Sequence, residues 1–134
     1  MLKSIAAVLS VAALALSLSV AAQQPAAPAA IKRTPLQRVD VPGSPNMETI
    51  TGIAEIMPNV NIGRHTHAGV ETGYVIEGAI TLLVDGKQPL ALRPGDSYQV
   101  PVNAIHDAKS GESGAKILAV YIVEKGKPLA SPAP

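Results

Sequence analysis

Asn59 to Gly78 reads NVNIGRHTHAGVETGYVIEG. The stretch is extended chain punctuated by glycine, with His65 and His67 two apart and Glu71 close behind. Residues two apart on a strand point to the same face, so both imidazoles can reach one ion. Ala68-Gly69 lets the chain turn and bring the Glu71 carboxylate back to the same point. The third and last histidine, His106, lies in a second stretch, Gly95 to Ser110, GDSYQVPVNAIHDAKS. It opens another expected strand. Imidazoles with a carboxylate, and no thiolate, suit one divalent transition metal: Fe, Mn, Ni, Co, Cu or Zn. Four protein ligands leave open positions on an ion that takes five or six, which is what a catalytic ion needs. A His-x-His pair alone is common on strands. Its combination with Glu71 and the only other histidine is what marks the site.

Strand signals surround these two stretches. Met47 to Met57 has β-branched residues and partial alternation, bounded by Pro58-Asn59. Tyr74 to Glu77 is a short strand ending at Gly78. Ile80 to Val84, Asp85-Gly86 and Lys87 to Leu92 form the clearest hairpin, because Asp-Gly supplies positive φ angles. Ser97 to Val100 stops at Pro101, and His106 to Lys109 is followed by an expected loop at Ser110 to Gly114. Lys116 to Val123 is the strongest strand signal in the chain. Eight or nine short strands with no helical period argue an all-β, antiparallel sandwich or barrel. Ligand candidates at strand spacing favour a site inside it.

The ends read differently. Residues 1–22 have a positive start at Lys3, an apolar run and a small-residue site at Val20-Ala21-Ala22. That is the pattern of a cleaved signal peptide and fits it better than a membrane anchor. The expectation is a periplasmic or secreted protein with no stable membrane anchor after cleavage. Residues 23–45 read as a Pro/Ala-rich linker and N-terminal arm, 46–124 as the β-barrel, and 125–134 as a tail expected to fray. The Ile31 to Pro45 arm is the one feature that points to a homodimer.

Composition narrows the functions. Without Lys3 the remainder carries equal numbers of basic and acidic residues and no basic cluster, so nucleic acid is not an expected partner. There is no cysteine, which removes disulfides and thiol nucleophiles. Phe and Trp are absent, leaving Tyr74, Tyr98 and Tyr121 as the aromatics. The core must therefore be Val, Ile, Leu and Ala, with little to stack a flat aromatic substrate.

HTHAGVETGYVIEG fits the first cupin motif, HxHxxxExxxxxxG, at His65, His67, Glu71 and Gly78. GDSYQVPVNAIH fits the second, GxxxxxPxGxxHxxxN, at Gly95, Pro101 and His106. The chain thus resembles small single-domain cupins from about Thr49 to Val123. Asn59 stands for the leading Gly of the first motif. Asn103 stands for the second Gly of the other motif, and Ser110 for its final Asn. Asn tolerates the left-handed backbone, so both turns are expected to survive. The resemblance implies a double-stranded β-helix, or jelly-roll, with a 3-His-1-Glu metal site inside.

Three functional classes share such a site. The first is an oxygenase-like metal enzyme acting on a small molecule, with Glu71 as ligand and catalytic proton acceptor. The second is a non-redox isomerase or lyase. The third is a binding protein for a small ligand or metal, without turnover. Smaller expectations concern Arg64 and Glu55 as ligand contacts or solvated charges, Glu77 as a rim charge, Arg93 and Asp96 as turn residues, and Val75 on the Glu71 face.

Overall fold

Two strands run through the whole molecule because β-branched residues alternate along them without a proline to interrupt the ladder. In the computed structural model, which describes residues 29–134, these are β4 (Gly69–Val84) and β7 (His106–Glu124). The expected signal peptide lies outside the described residues. The first half of β4 and the second half of β7 pair antiparallel (Gly69↔Val123 to Gly78↔Ala115), and their other halves pair from Ile80↔Ser110 to Val84↔His106. Each strand therefore belongs to two sheets.

The short strands complete both sheets. In one sheet, β1 (Ile31–Asp40) and β2 (Met47–Ile56) flank β7, and β6 (Ser97–Val100) flanks β4. In the other, β3 (His65–Thr66) and β8 (Ser131–Pro132) extend from β7, and β5 (Leu90–Leu92) pairs with β4. The result is an antiparallel jelly-roll whose inner faces meet around Val75, Ile80, Leu82, Val100 and Ile117, each at most 4% exposed.

The crossing between sheets explains why the expected loop at Ser110 to Gly114 is absorbed into β7. Ala79 lies opposite Gly111 to Gly114, a bulge in the ladder. This bulge on β7 and a second irregularity at Ile76 on β4 switch which residues face inward. On β4 the buried set is Glu71, Gly73 and Val75 before the crossing, and Ile80 and Leu82 after it. On β7 it changes from His106, Ala108 and Ser110 to Ala115, Ile117 and Ala119. Gly78 (φ 71) and Gly114 (φ 74) stand in close backbone contact here, and a Cβ on Gly78 would lie 2.0 Å from the Gly114 carbonyl oxygen.

Other expectations need correction. The Asp85-Gly86 hairpin is looser than expected: only Gly86 has positive φ, and pairing resumes only at Leu82↔Leu90. Pro89 has no N–H to donate, and Asp85 N–H is taken by the Ile105 carbonyl. The arm is regular structure, though exposed along almost all its length. From Ile31 to Asp40 it is a sheet-edge strand in register with β2. The tail does not fray, because Ser131 and Pro132 pair with Thr66 and His65 and anchor it beside the histidine stretch.

Candidate metal centre

The fold brings the four expected residues together. His65 pairs directly opposite His106, so two imidazoles from distant parts of the chain stand side by side, ring centroids 4.1 Å apart. His67 follows β3 at once, and its carbonyl accepts the Asn103 N–H. Glu71 projects inward from β4, flanked by Val100 on β6 and Tyr121 on β7. One ligand atom from each of the four lies within 4.8 Å of the rest. His67, Glu71 and His106 are buried and His65 is half-buried.

Each ring is oriented from behind. His65 donates from Nδ1 to the Gly63 carbonyl (2.7 Å), His106 to the Ala104 carbonyl (3.0 Å), and His67 to the Leu129 carbonyl of the tail. A neutral imidazole that donates from Nδ1 has its lone pair on Nε2. Three main-chain acceptors thus leave three Nε2 lone pairs for the interior. Nε2 of His67 and of His106 lie 2.9 and 3.3 Å from Glu71 Oε2, the distances of hydrogen bonds. The angles are not, and both Nε2 atoms are buried without a hydrogen-bond partner. A buried polar atom left unpaired is costly. Nitrogen and oxygen ligands about 2.1 Å from an ion stand roughly 3 Å apart when adjacent. The donor set, the orphaned nitrogens and the spacing fit a divalent transition metal.

Glu71 is fixed on its other oxygen. Tyr98 donates its hydroxyl to Oε1 at 2.8 Å. The Tyr98 ring occupies the space above Gly73, where a Cβ would come within 2.2 Å of it. Burial works against ionising Glu71, but His106, His67 and the Tyr98 hydroxyl outweigh it and hold its pKa at about 2. Burial also pushes the Tyr98 and Tyr121 hydroxyls up, with Glu71 adding to it, so both stay protonated. Burial lowers His65, opposed by the Gly63 carbonyl. For His106 burial is outweighed by Glu71, and the pKa rises.

The ligand atoms open into a cavity of about 50 Å³ with mainly aliphatic walls. Tyr98 lies on the cavity wall. Sequence reasoning missed Arg33, Tyr121, Leu129 and Ala130 there, because strand pairing rather than local pattern delivers them. Arg64 and Glu55 are occupied elsewhere, by Asp85 (2.7 Å) and Lys32 (3.1 Å). Tyr74 is exposed, and Val75 shares the Glu71 face but packs in the core. Asn59 and Asn103 both take φ 57, so they keep the turns for which the motif uses glycine. Ser110 has a structural role. Its Oγ donates to the Met57 carbonyl (2.6 Å) and accepts from Val60 N–H (2.9 Å), which ties the segment ahead of His65 to β7.

The family profile described as "Cupin domain" matches residues 52–121. This chain belongs to the cupin family. No curated protein matches the chain significantly. Among solved structures it is similar to KdgF from Halomonas sp., at 20% identity and TM-score 0.60, over 77% of this chain and 86% of that one. It is also similar to the polyketide cyclase RemF from Streptomyces resistomycificus, at 21% identity and TM-score 0.60, over 78% and 71%. The DMSP lyase DddQ from Ruegeria pomeroyi matches at 16% identity and TM-score 0.64, over 77% of this chain and 51% of that one. The chain thus spans about half the length of DddQ, and at these identities the likeness is one of fold.

Proposed function

We propose that this cupin is an exported enzyme that holds one divalent transition metal through His65, His67, Glu71 and His106 and acts on a small molecule. The observation that carries the reading is the pair of buried, unpartnered Nε2 atoms on His67 and His106, facing an ionised carboxylate. When bound, the ion would supply Lewis acidity at its open positions. The histidines are held in one tautomer by Gly63, Ala104 and Leu129. Tyr98 aims Glu71 by donating to its Oε1. A carboxylate held near pKa 2 suits ligation better than proton abstraction, so of the two roles for Glu71 its surroundings favour that of ligand. The small, mainly aliphatic cavity limits what enters.

Between oxygenase-like and non-redox chemistry, two features support a lyase-type, non-redox reading. Structural neighbours include a lyase and a cyclase. The cavity also carries Tyr121, a phenol that stays protonated and can donate to a bound oxygen. The test is to load the protein with Fe(II), Mn(II) or Zn(II) and screen small-molecule turnover with and without oxygen. Turnover that persists without oxygen and with Zn(II) supports the non-redox reading. Turnover confined to Fe(II) with oxygen returns the oxygenase. A metal-loaded protein without turnover leaves the binding-protein class.

A further inference from the structure

Arg33 is a cation that the fold brings to the neck of the cavity without giving it a partner. It pairs in register with Ala54 on β2, which pairs with Ile117 on β7, which pairs with Val75 on β4. Residues in one such row share a face of the sheet, and Ile117 and Val75 are core residues. Arg33 is therefore on the inner face, and the small side chain of Ala54 leaves room for its stem to cross toward the site. Its neighbour Lys32 faces outward and pairs with Glu55 (3.1 Å). Arg38 and Arg64 are paired with Glu48 (2.8 Å) and Asp85 (2.7 Å). Among the described residues Arg33 forms no ion pair.

Two cavities meet at this residue. The inner one, about 50 Å³, holds the metal ligands. An outer one, about 300 Å³, opens beside it. Arg33, Ile62, His65 and Ala130 line both. Among the described residues Glu71 is the only carboxylate on either wall; its Oε1 accepts from Tyr98 and its Oε2 faces the Nε2 atoms of His67 and His106. Tyr121 stands beside Glu71 on the inner wall, its ring edge-on to His67 at 5.0 Å. Its hydroxyl has no partner among the described residues. Arg33 and Tyr121 both line this inner cavity.

We infer that Arg33 and Tyr121 form a carboxylate-binding subsite at the neck of the cavity, so the substrate is a small organic anion. It would present a second oxygen to the ion while its carboxylate lies against the guanidinium and the phenol. This rests on the metal reading above. Arginine recognises a carboxylate by charge and by parallel N–H donors. The inner volume corresponds to roughly four waters, so the reacting end is only a few atoms long and anything larger extends into the outer cavity.

The experiment is calorimetric titration of the Zn(II)-loaded protein with glycolate and with glycolamide, its neutral counterpart. The same titrations are run on the Arg33→Gln, Arg33→Lys and Tyr121→Phe variants. Wild type is expected to prefer glycolate. Arg33→Gln is expected to lose about tenfold or more in glycolate affinity at unchanged zinc content, with glycolamide unaffected. Arg33→Lys should recover part of the loss, and Tyr121→Phe should show a smaller one. Equal affinity of wild type for the two compounds, or a preference that survives in Arg33→Gln, overturns the subsite. Failure of the protein to take up zinc overturns the metal reading instead. The same titrations on metal-free protein then decide the subsite by whether the preference for glycolate still depends on Arg33.

Discussion

Tyr98 donates its hydroxyl to Glu71 across the gap between β6 and β4, at 2.8 Å and out of contact with solvent. That bond links the apolar core to the candidate metal site. It takes up Oε1, leaves Oε2 to face the imidazoles, and depends on Gly73 having no side chain beneath the ring. A group that orients a metal ligand from behind contributes to metal affinity without touching the ion.

Tyr98→Phe is therefore expected to lower metal affinity by about tenfold to a hundredfold while leaving the fold intact. Competition with a chromophoric chelator reads the affinity, and circular dichroism reads the fold. Unchanged affinity would mean that Glu71 is oriented by its strand alone.

Gly73→Ala tests the space beneath the ring. A Cβ there meets the Tyr98 ring at 2.2 Å, so the ring must move. The expected loss is about 1–3 kcal/mol of stability, together with weaker metal binding. Denaturant melts of metal-free and metal-loaded protein separate the two effects.

The acid limb of stability belongs to Glu71. Its pKa falls from the ordinary 4.5 to about 2 on folding, so the folded state favours the ionised form. That contribution, on the order of 3 kcal/mol, is fully present above pH 4.5 and is lost as pH falls toward 2. His65 and His106 shift in opposite directions, so around neutrality their contributions oppose each other. Metal-free Glu71→Gln should show a flatter stability profile between pH 4.5 and 2 than metal-free wild type. Parallel profiles would assign the acid limb to another carboxylate.

Truncation after Lys127 removes the Leu129 carbonyl that fixes the His67 tautomer, along with β8. Metal affinity is expected to drop by about tenfold or more, with a small change in melting temperature. The ring of His67 would then be free to turn, and NMR of its ring nitrogens would show mixed tautomers.

Ser110→Ala breaks the link from β7 to the segment before His65. It leaves the Val60 N–H without the Oγ that accepts from it. The expected cost is about 1–3 kcal/mol, measured by urea unfolding.

The clustered residues were legible in the sequence because His65, His67 and Glu71 recur at short spacing and His106 is the only other histidine. The β-class followed from alternation and turn chemistry. The length of β4 and β7 did not, since Gly78 and Gly111 to Gly114 read locally as ends and loops, and only mutual pairing turns them into a crossing between sheets. Arg33 and Tyr121 stayed hidden for the same reason. Arg33 lies in a proline-bearing stretch that read as linker and arm, and register with Ala54 is what puts it on the inner face. Tyr121 sat in a strong strand signal whose facing residue, Glu71, is far away in sequence. The tail looked like Pro-rich coil, and its role depends on a main-chain carbonyl, which no side-chain pattern reports.

The most direct test of the central claim is elemental analysis of untagged protein, as purified and after titration with Fe(II), Mn(II) or Zn(II), beside His106→Ala. About one ion per wild-type chain is expected, with that ion lost in the variant while its β-rich circular dichroism is retained. A folded wild-type protein that takes up no metal, or a variant that holds it at full stoichiometry, would contradict the four-ligand centre.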